Sequence, residues 1–463
     1  MTTRLRNIVH SAAEKIPAYP AHERPLATAR RHRRRTALVG GAALMLVGGA
    51  GAALVLAPTP ATGPAASASA ALPDRVGVPR FGSLHATDLP RLGPASVIFT
   101  GQAPNLTYGG EGSIVAVVGA DTDRYRIIKG GIEAQAGEDT MLSPDGRRVA
   151  FGSGSLTNSR VEVVDLVSGD SRTVASGVSG TVMAEPASWS PDGRALVVRD
   201  TVPANSEHSA YRRVLSVVWL DSDRRTRLAD EYEAAGSEVA FAPDGARVAF
   251  QIERKVSVVN MDSRLLSSFT LAPDTELAGK GAWSADGPTL TVTRRDGGSW
   301  SLRRIDPATG RDLGAMDTPA VTGVTAIRLL GWAADGSARV VAYQPAPDAP
   351  AAFDSPLPMD QRLAYGNVGT VRVLALGRGA KSPTTLLTAP QDVVAIDVAE
   401  LVIHGGEIRV AHPPDAGLGP RFWYWTFLGA ALIAGVAAYR NRVPLALWLH
   451  NRQVRQAARR ARE

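Results

Sequence analysis

The 463-residue chain contains no cysteine. That excludes disulfides, thiolate metal sites, lipid attachment through sulfur and any cysteine nucleophile. Lysine is scarce: of 51 basic residues only Lys15, Lys129, Lys255, Lys280 and Lys381 are lysines, and the rest are arginine. Histidine is scarce too, with eight in all. His10, His22, His32 and His450 lie in the basic ends, which leaves His85, His208, His404 and His412 scattered along the middle. A zinc or histidine-based site would need all of these to converge. No His-Glu-x-x-His is present, and the GVSG at 177–180 has the wrong spacing for a nucleophile elbow. Asp121 and Asp123 lack the glycine and distal glutamate of a calcium loop and read as a solvated turn. Asn105 opens only a formal glycosylation sequon. Catalytic, cofactor-binding and metal-ligating residues are therefore all expected to be none.

What the chain does have is unevenly placed charge. The net charge is +7, but residues 1–35 carry +7 and residues 440–463 carry +6, so the middle carries −6. Basic ends around a mildly acidic centre argue against a nucleic-acid face on the central domain. Each basic end borders an apolar run. Residues 36–57, TALVGGAALMLVGGAGAALVLA, hold no charge and would span about 33 Å as a helix, against about 30 Å of hydrocarbon. Residues 422–439, FWYWTFLGAALIAGVAAY, form a second, shorter run. Arg30, Arg31, Arg33, Arg34 and Arg35 precede the first, while Arg440 and Arg442 follow the second. The positive-inside rule then puts both termini in the cytoplasm and the centre outside it, in a two-pass plasma-membrane protein. Phe422, Trp423, Tyr424 and Trp425 suit the outer interface. A cleaved signal sequence is the alternative for the first run, and a buried core helix for the second.

Residues 58–73, rich in proline, alanine and serine, read as a linker that lifts the domain off the membrane. Residues 74–415 form the expected ectodomain. Residues 3–16 place Leu5, Ile8, Val9, Ala12, Ala13 and Ile16 on one helical stripe, which Pro17 ends. So short a helix needs a partner protein or a lipid surface to cover it. The arginine-rich tail after Arg440 suits anionic headgroups.

The centre repeats. LSPDGRRVAF (142–151), WSPDGRALVV (189–198), FAPDGARVAF (241–250), WSADGPTLTV (283–292) and WAADGSARVV (332–341) are copies of one pattern. In each, a large apolar residue ends a strand. A turn follows, in which Asp145, Asp192, Asp244, Asp286 or Asp335 caps the backbone and the next glycine takes positive φ. A second hairpin comes after most copies, as in 161–174, 215–228, 256–271 and 301–316. Four short strands per repeat make one propeller blade, and six or seven blades are expected. Less regular blade segments are placed at 113–129 and 368–388, with 393–411 closing the ring. Residues 344–365 interrupt the pattern as a long insertion, read as a tolerated loop with a contact site as the alternative.

This turn motif resembles that of the TolB-type, WD-repeat-like β-propellers, over roughly residues 95–412. The resemblance implies an all-β propeller and says nothing of activity, because the motif shapes turns. The N-terminal stretch through residue 57 is similar to membrane proteins associated with extracytoplasmic-function sigma factors of high-GC bacteria, which implies a regulatory role. The cysteine-containing zinc signature of anti-sigma domains cannot exist here. The expectation is a membrane-anchored propeller that binds a protein, peptide or envelope ligand at one face and signals to a cytoplasmic regulator held by the N-terminal helix. A propeller-based envelope hydrolase or lyase, and a static envelope scaffold, are the alternatives.

Overall fold

The computed structural model describes residues 70–455, except 81, 106–109, 129–133, 155–158, 206–209, 233–237, 348–367, 392, 415–417, 441–447 and 449. The helix expected at 3–16, the run at 36–57, most of the linker, most of the long insertion, His208 and the last eight residues lie outside the described residues. Two compact units are present. The larger, Ala65–Trp423, carries all the strands found among the described residues.

After a short strand, β1 (Leu72–Pro73), comes β2 (Ala95–Asn105), β3 (Gly110–Gly119) and β4 (Tyr125–Ile128), three strands of blade I. Blade II is β5 (Thr140–Leu142), β6 (Arg148–Ser153), β7 (Arg160–Asp165) and β8 (Ser171–Ala175). Blade III is β9 (Met183–Trp189), β10 (Ala195–Pro203), β11 (Tyr211–Trp219) and β12 (Arg225–Tyr232). Blade IV is β13 (Val239–Phe241), β14 (Arg247–Ile252), β15 (Lys255–Asn260) and β16 (Leu265–Thr270). Blade V is β17 (Thr275–Leu277), β18 (Leu290–Asp296), β19 (Ser299–Ile305) and β20 (Asp312–Ala315), with β21 (Val321–Thr322) also paired to β19. Blade VI is β22 (Ala326–Trp332), β23 (Ala338–Pro345), β24 (Val368–Leu376) and β25 (Thr384–Thr388). The next strand, β26 (Val393–Val398), pairs antiparallel with β2, Val97 opposite Val398, and completes blade I. Six blades close a ring whose first sheet is built from both ends of the domain.

Burial shows which edge of each blade is the inner one. The first strands of blades II and IV are buried throughout, whereas β16 and β20 alternate between exposed and half-buried positions. The regular, β-branched second and third strands, such as β14 with RVAFQI and β15 with KVSVVN, present one apolar face to each neighbouring blade. Trp300, Tyr343 and Phe99 are among the largest fully buried side chains. Segment 368–388, expected to seed a blade of its own, supplies the outer half of blade VI. That arithmetic makes the count six.

Behind β26 come a short helix, α1 (Glu400–Gly405), the strand β27 (Ile408–Arg409) and a long helix, α2 (Pro420–Arg440). β27 pairs in parallel with β1, so the segments leading into and out of the ring are joined. Arg409 pairs with Asp123, and the His412 N–H donates to the other Asp123 oxygen at 2.8 Å. Among the described residues, α2 is the one helix long and apolar enough to cross a membrane.

Candidate functional site

The repeated turns are scaffolding. In blade II the Ser143 hydroxyl donates to Asp145 Oδ1 at 2.6 Å, and the Arg147 N–H donates to the same oxygen at 3.0 Å. The same set recurs at Ser190, Asp192 and Arg194. Gly146, Gly193 and Gly245 adopt φ of 68°, 67° and 67°, a conformation that favours glycine. Asp335 is held below the ordinary carboxylate range by the hydroxyl and backbone N–H of Ser337. The tryptophans that precede the turns tie blade to blade. Trp189 Nε1 donates to Met141 O at 3.4 Å, Trp283 Nε1 to Ala240 O at 3.1 Å, and Trp332 Nε1 to Trp283 O at 2.9 Å. Each indole thus reaches the inner region of the preceding blade. Arg148 and Arg247 add bonds to carbonyls of the next turn, Gly193 O and Gly287 O.

The chemistry-bearing groups gather around the central channel. Arg328 on β22 is only 4 % exposed, yet it is charged. Its guanidinium donates to Ile396 O of blade I at 2.8 Å and to Gly137 O just before β5 of blade II. One side chain therefore bridges three blades. Burial opposes its charge, but the Tyr343 hydroxyl, Asp397, Glu238 and Glu138 lie close enough to hold its pKa above the ordinary value. Burial also raises Glu238 and Tyr343.

Blade V is built to admit this arginine. Its inner strand stops at Leu277, and Trp283 keeps a single bridge to Leu290. Between them lies AGKGA, residues 278–282. A Cβ on Gly279 would stand 2.6 Å from Arg328 Cγ, and Gly279 has φ of +115°. The same irregular segment aims Lys280 at Asp397, which is wholly buried; Nζ lies 2.7 Å from Asp397 Oδ1 and donates to Val398 O at 2.7 Å.

On the blade II and III side the belt is acidic. Asp139 Oδ1 accepts the Gln135 N–H at 2.7 Å and the Thr140 hydroxyl at 3.0 Å. Burial, then the charge of Glu185, push Asp139 up to about 8. Glu185 itself is bound by Arg199 at 3.2 Å. Behind it, Asp200 is wholly buried against Arg225, 2.7 Å away, which also donates to Ala175 O of blade II. The Arg199–Glu185 and Arg225–Asp200 pairs brace blade III from within, and the Arg225 bond to Ala175 O ties it to blade II. Among the described residues, no group of three or more histidine and acidic side chains could hold a metal ion.

Among the described residues, the central histidines are not brought together. His85 lies on the strand-like loop beside β4, His404 in the last turn of α1, and His412 beside Asp123. Asp123 anchors the segment after β27, while Asp121 stays exposed. Residues 177–180 lie on the loop from β8 to β9. Reading the sequence for motifs missed Arg328, Lys280, Asp397 and Asp139. Their signal was single charges within apolar inner strands, AIRLLGW and VVAIDV, and the glycines that interrupt blade V.

Solved structures with the same kind of fold include TolB from Acinetobacter baumannii, with 15 % identity over 66 % of this chain and 66 % of that one, at a TM-score of 0.40. The oligogalacturonate lyase of Vibrio parahaemolyticus has 14 % identity over 64 % and 81 %, at 0.39. The propeller domain of the Trilobed protease from Pyrococcus furiosus has 14 % identity over 67 % and 84 %, at 0.38. No protein-family model and no curated protein matches the chain.

Proposed function

We propose that this chain is a membrane-anchored propeller whose ectodomain, outside the cytoplasm, binds a protein, peptide or envelope ligand. The observation that carries the reading is α2. Its 21 residues contain no charge between Arg421 and Arg440, and none of its side chains is buried. Such a surface is costly in water and suited to lipid. Its first turn holds Trp423 and Tyr424, and its last residue is Arg440, which suits an outer aromatic belt and a cytoplasmic basic end. The channel argues for binding over catalysis, because Lys280 and Arg328 already engage a carboxylate and carbonyls as inter-blade ties, and Arg199 is held by Glu185 within blade III.

The amphipathic stripe at 3–16 extends the proposal to a cytoplasmic regulator, which would couple the ectodomain to the cell interior. Membranes holding the intact protein should resist carbonate extraction, and externally added protease should cut the ectodomain of spheroplasts. Cross-linking from these membranes should recover a transcriptional regulator with the intact chain and not with one lacking residues 1–20. Release of the intact protein by carbonate overturns the anchor. Recovery of the same partners by both chains removes signalling and leaves a binding or scaffold propeller.

A further inference from the structure

One part of the propeller surface is set apart by what holds it. Between β1 and β2, residues 82–90 run along the open edge of blade I, where the Ile127 N–H donates to Leu84 O at 2.9 Å and the Ala86 N–H to Ile127 O at 3.0 Å. The start of α2 is fastened to this rim. The Arg421 N–H donates to Gly82 O at 2.8 Å, and the Arg421 guanidinium lies 3.6 Å from Asp88. Gly82 has φ of +75°, and a Cβ there would stand 2.7 Å from the backbone N and the Cβ of Phe422. The fit is close enough to require glycine.

The next residue after Asp88 is Leu89, 73 % exposed, the most exposed large apolar side chain among those described. A lone exposed leucine is ordinary on a protein surface. This one stands beside the ion pair that fixes the first turn of the helix, with Leu418 at 40 % and Trp423 at 48 % exposure flanking the same anchor. Trp423 is three residues into the helix, about 4.5 Å along its axis. Leucine, tryptophan and arginine together at the start of an apolar helix have the composition of a membrane interface.

Resting on the membrane reading above, we infer that the blade I rim at 82–90 seats on the outer leaflet, with Leu89 inserted among the lipid headgroups. The occupant is lipid because the rim is bonded to Arg421 and lies against Phe422, the residue that opens the uncharged apolar run 422–439.

Because the chain has no cysteine, single spin labels report the arrangement without background. The full chain is placed in nanodiscs of phosphatidylethanolamine and phosphatidylglycerol, labelled in turn through Leu89→Cys, Leu432→Cys in the helix, and Leu266→Cys on the outer strand of blade IV. Collision with a water-soluble nickel chelate is measured at each. The expected result is several-fold lower collision at positions 89 and 432 than at 266. If 432 is protected and 89 collides as freely as 266, the rim inference is overturned and the membrane reading stands. If 432 itself is open to the chelate, the membrane reading falls and takes the inference with it. All three leucines are exposed, so none of the variants removes packing on which the fold depends.

Discussion

Replacing Asp139 by asparagine should flatten a pH dependence that the channel builds into the fold. In the unfolded chain this carboxyl ionises near its ordinary value of 3.8, but in the folded protein it keeps its proton until about 8. An acid whose folded pKa is raised stabilises the fold at low pH. That stability is lost as pH climbs from about 4 to about 8, at up to about 1.4 kcal/mol per pH unit. Asp139 is only partly buried, so solvent reduces the full effect, and about 2–4 kcal/mol should remain. Asparagine offers an Oδ1 to the same two donors, Gln135 N–H and the Thr140 hydroxyl, without a charge at any pH. Urea unfolding of the detergent-solubilised chain, followed by tryptophan fluorescence, measures the difference. Asp139→Asn should exceed the parent by a small margin at pH 5 and by most of the about 2–4 kcal/mol at pH 8.5. Parallel pH profiles for parent and variant between pH 5 and 9 would refute the argument that Asp139 is buried as a neutral acid beside Glu185.

Three further substitutions test the ties. Arg328→Met keeps bulk but leaves carbonyls of blades I and II without a donor, and should lower unfolding free energy by about 3–5 kcal/mol in the same urea assay. Lys280→Met strands Asp397, wholly buried, and should cost about 3–5 kcal/mol, much of it recovered when Asp397→Asn is added. Trp283→Phe removes the indole donor to Ala240 O and should cost about 1–2 kcal/mol, with the blade IV–V boundary exchanging amide hydrogen faster.

The repeat was legible because a propeller writes the same turn many times. Asp145, Asp192 and Asp244 accept backbone N–H groups where the turn reading expected a cap, and the hairpins at 161–174, 215–228, 256–271 and 301–316 each became a pair of strands. Blade I was harder to read, since its inner strand and the other three are separated by the whole ring. The expected range of six or seven narrowed to six once Val368–Leu376 and Thr384–Thr388 joined β22 and β23. The channel belt was hidden for a different reason. Arg328 meets Ile396 and Gly137, residues 68 and 191 positions away, and no local pattern encodes such a meeting. The glycines around Lys280 look like a flexible loop in sequence, and only the arginine passing over Gly279 and the Gly331 backbone pressed against Gly281 explain them.

The closure of blade I also sets a schedule for synthesis. β2 leaves the ribosome about 300 residues ahead of β26, so at about 5–20 residues per second it waits roughly 15–60 s for its partner. During that interval the edge later covered by Val393–Val398 is bare, and it carries Ile98 and Phe99, both fully buried in the finished ring. An uncovered strand edge with such side chains is a template for pairing with other chains. The nascent ectodomain therefore needs shelter until its final strand arrives, and a chain cut anywhere before Val393 would keep that edge open permanently.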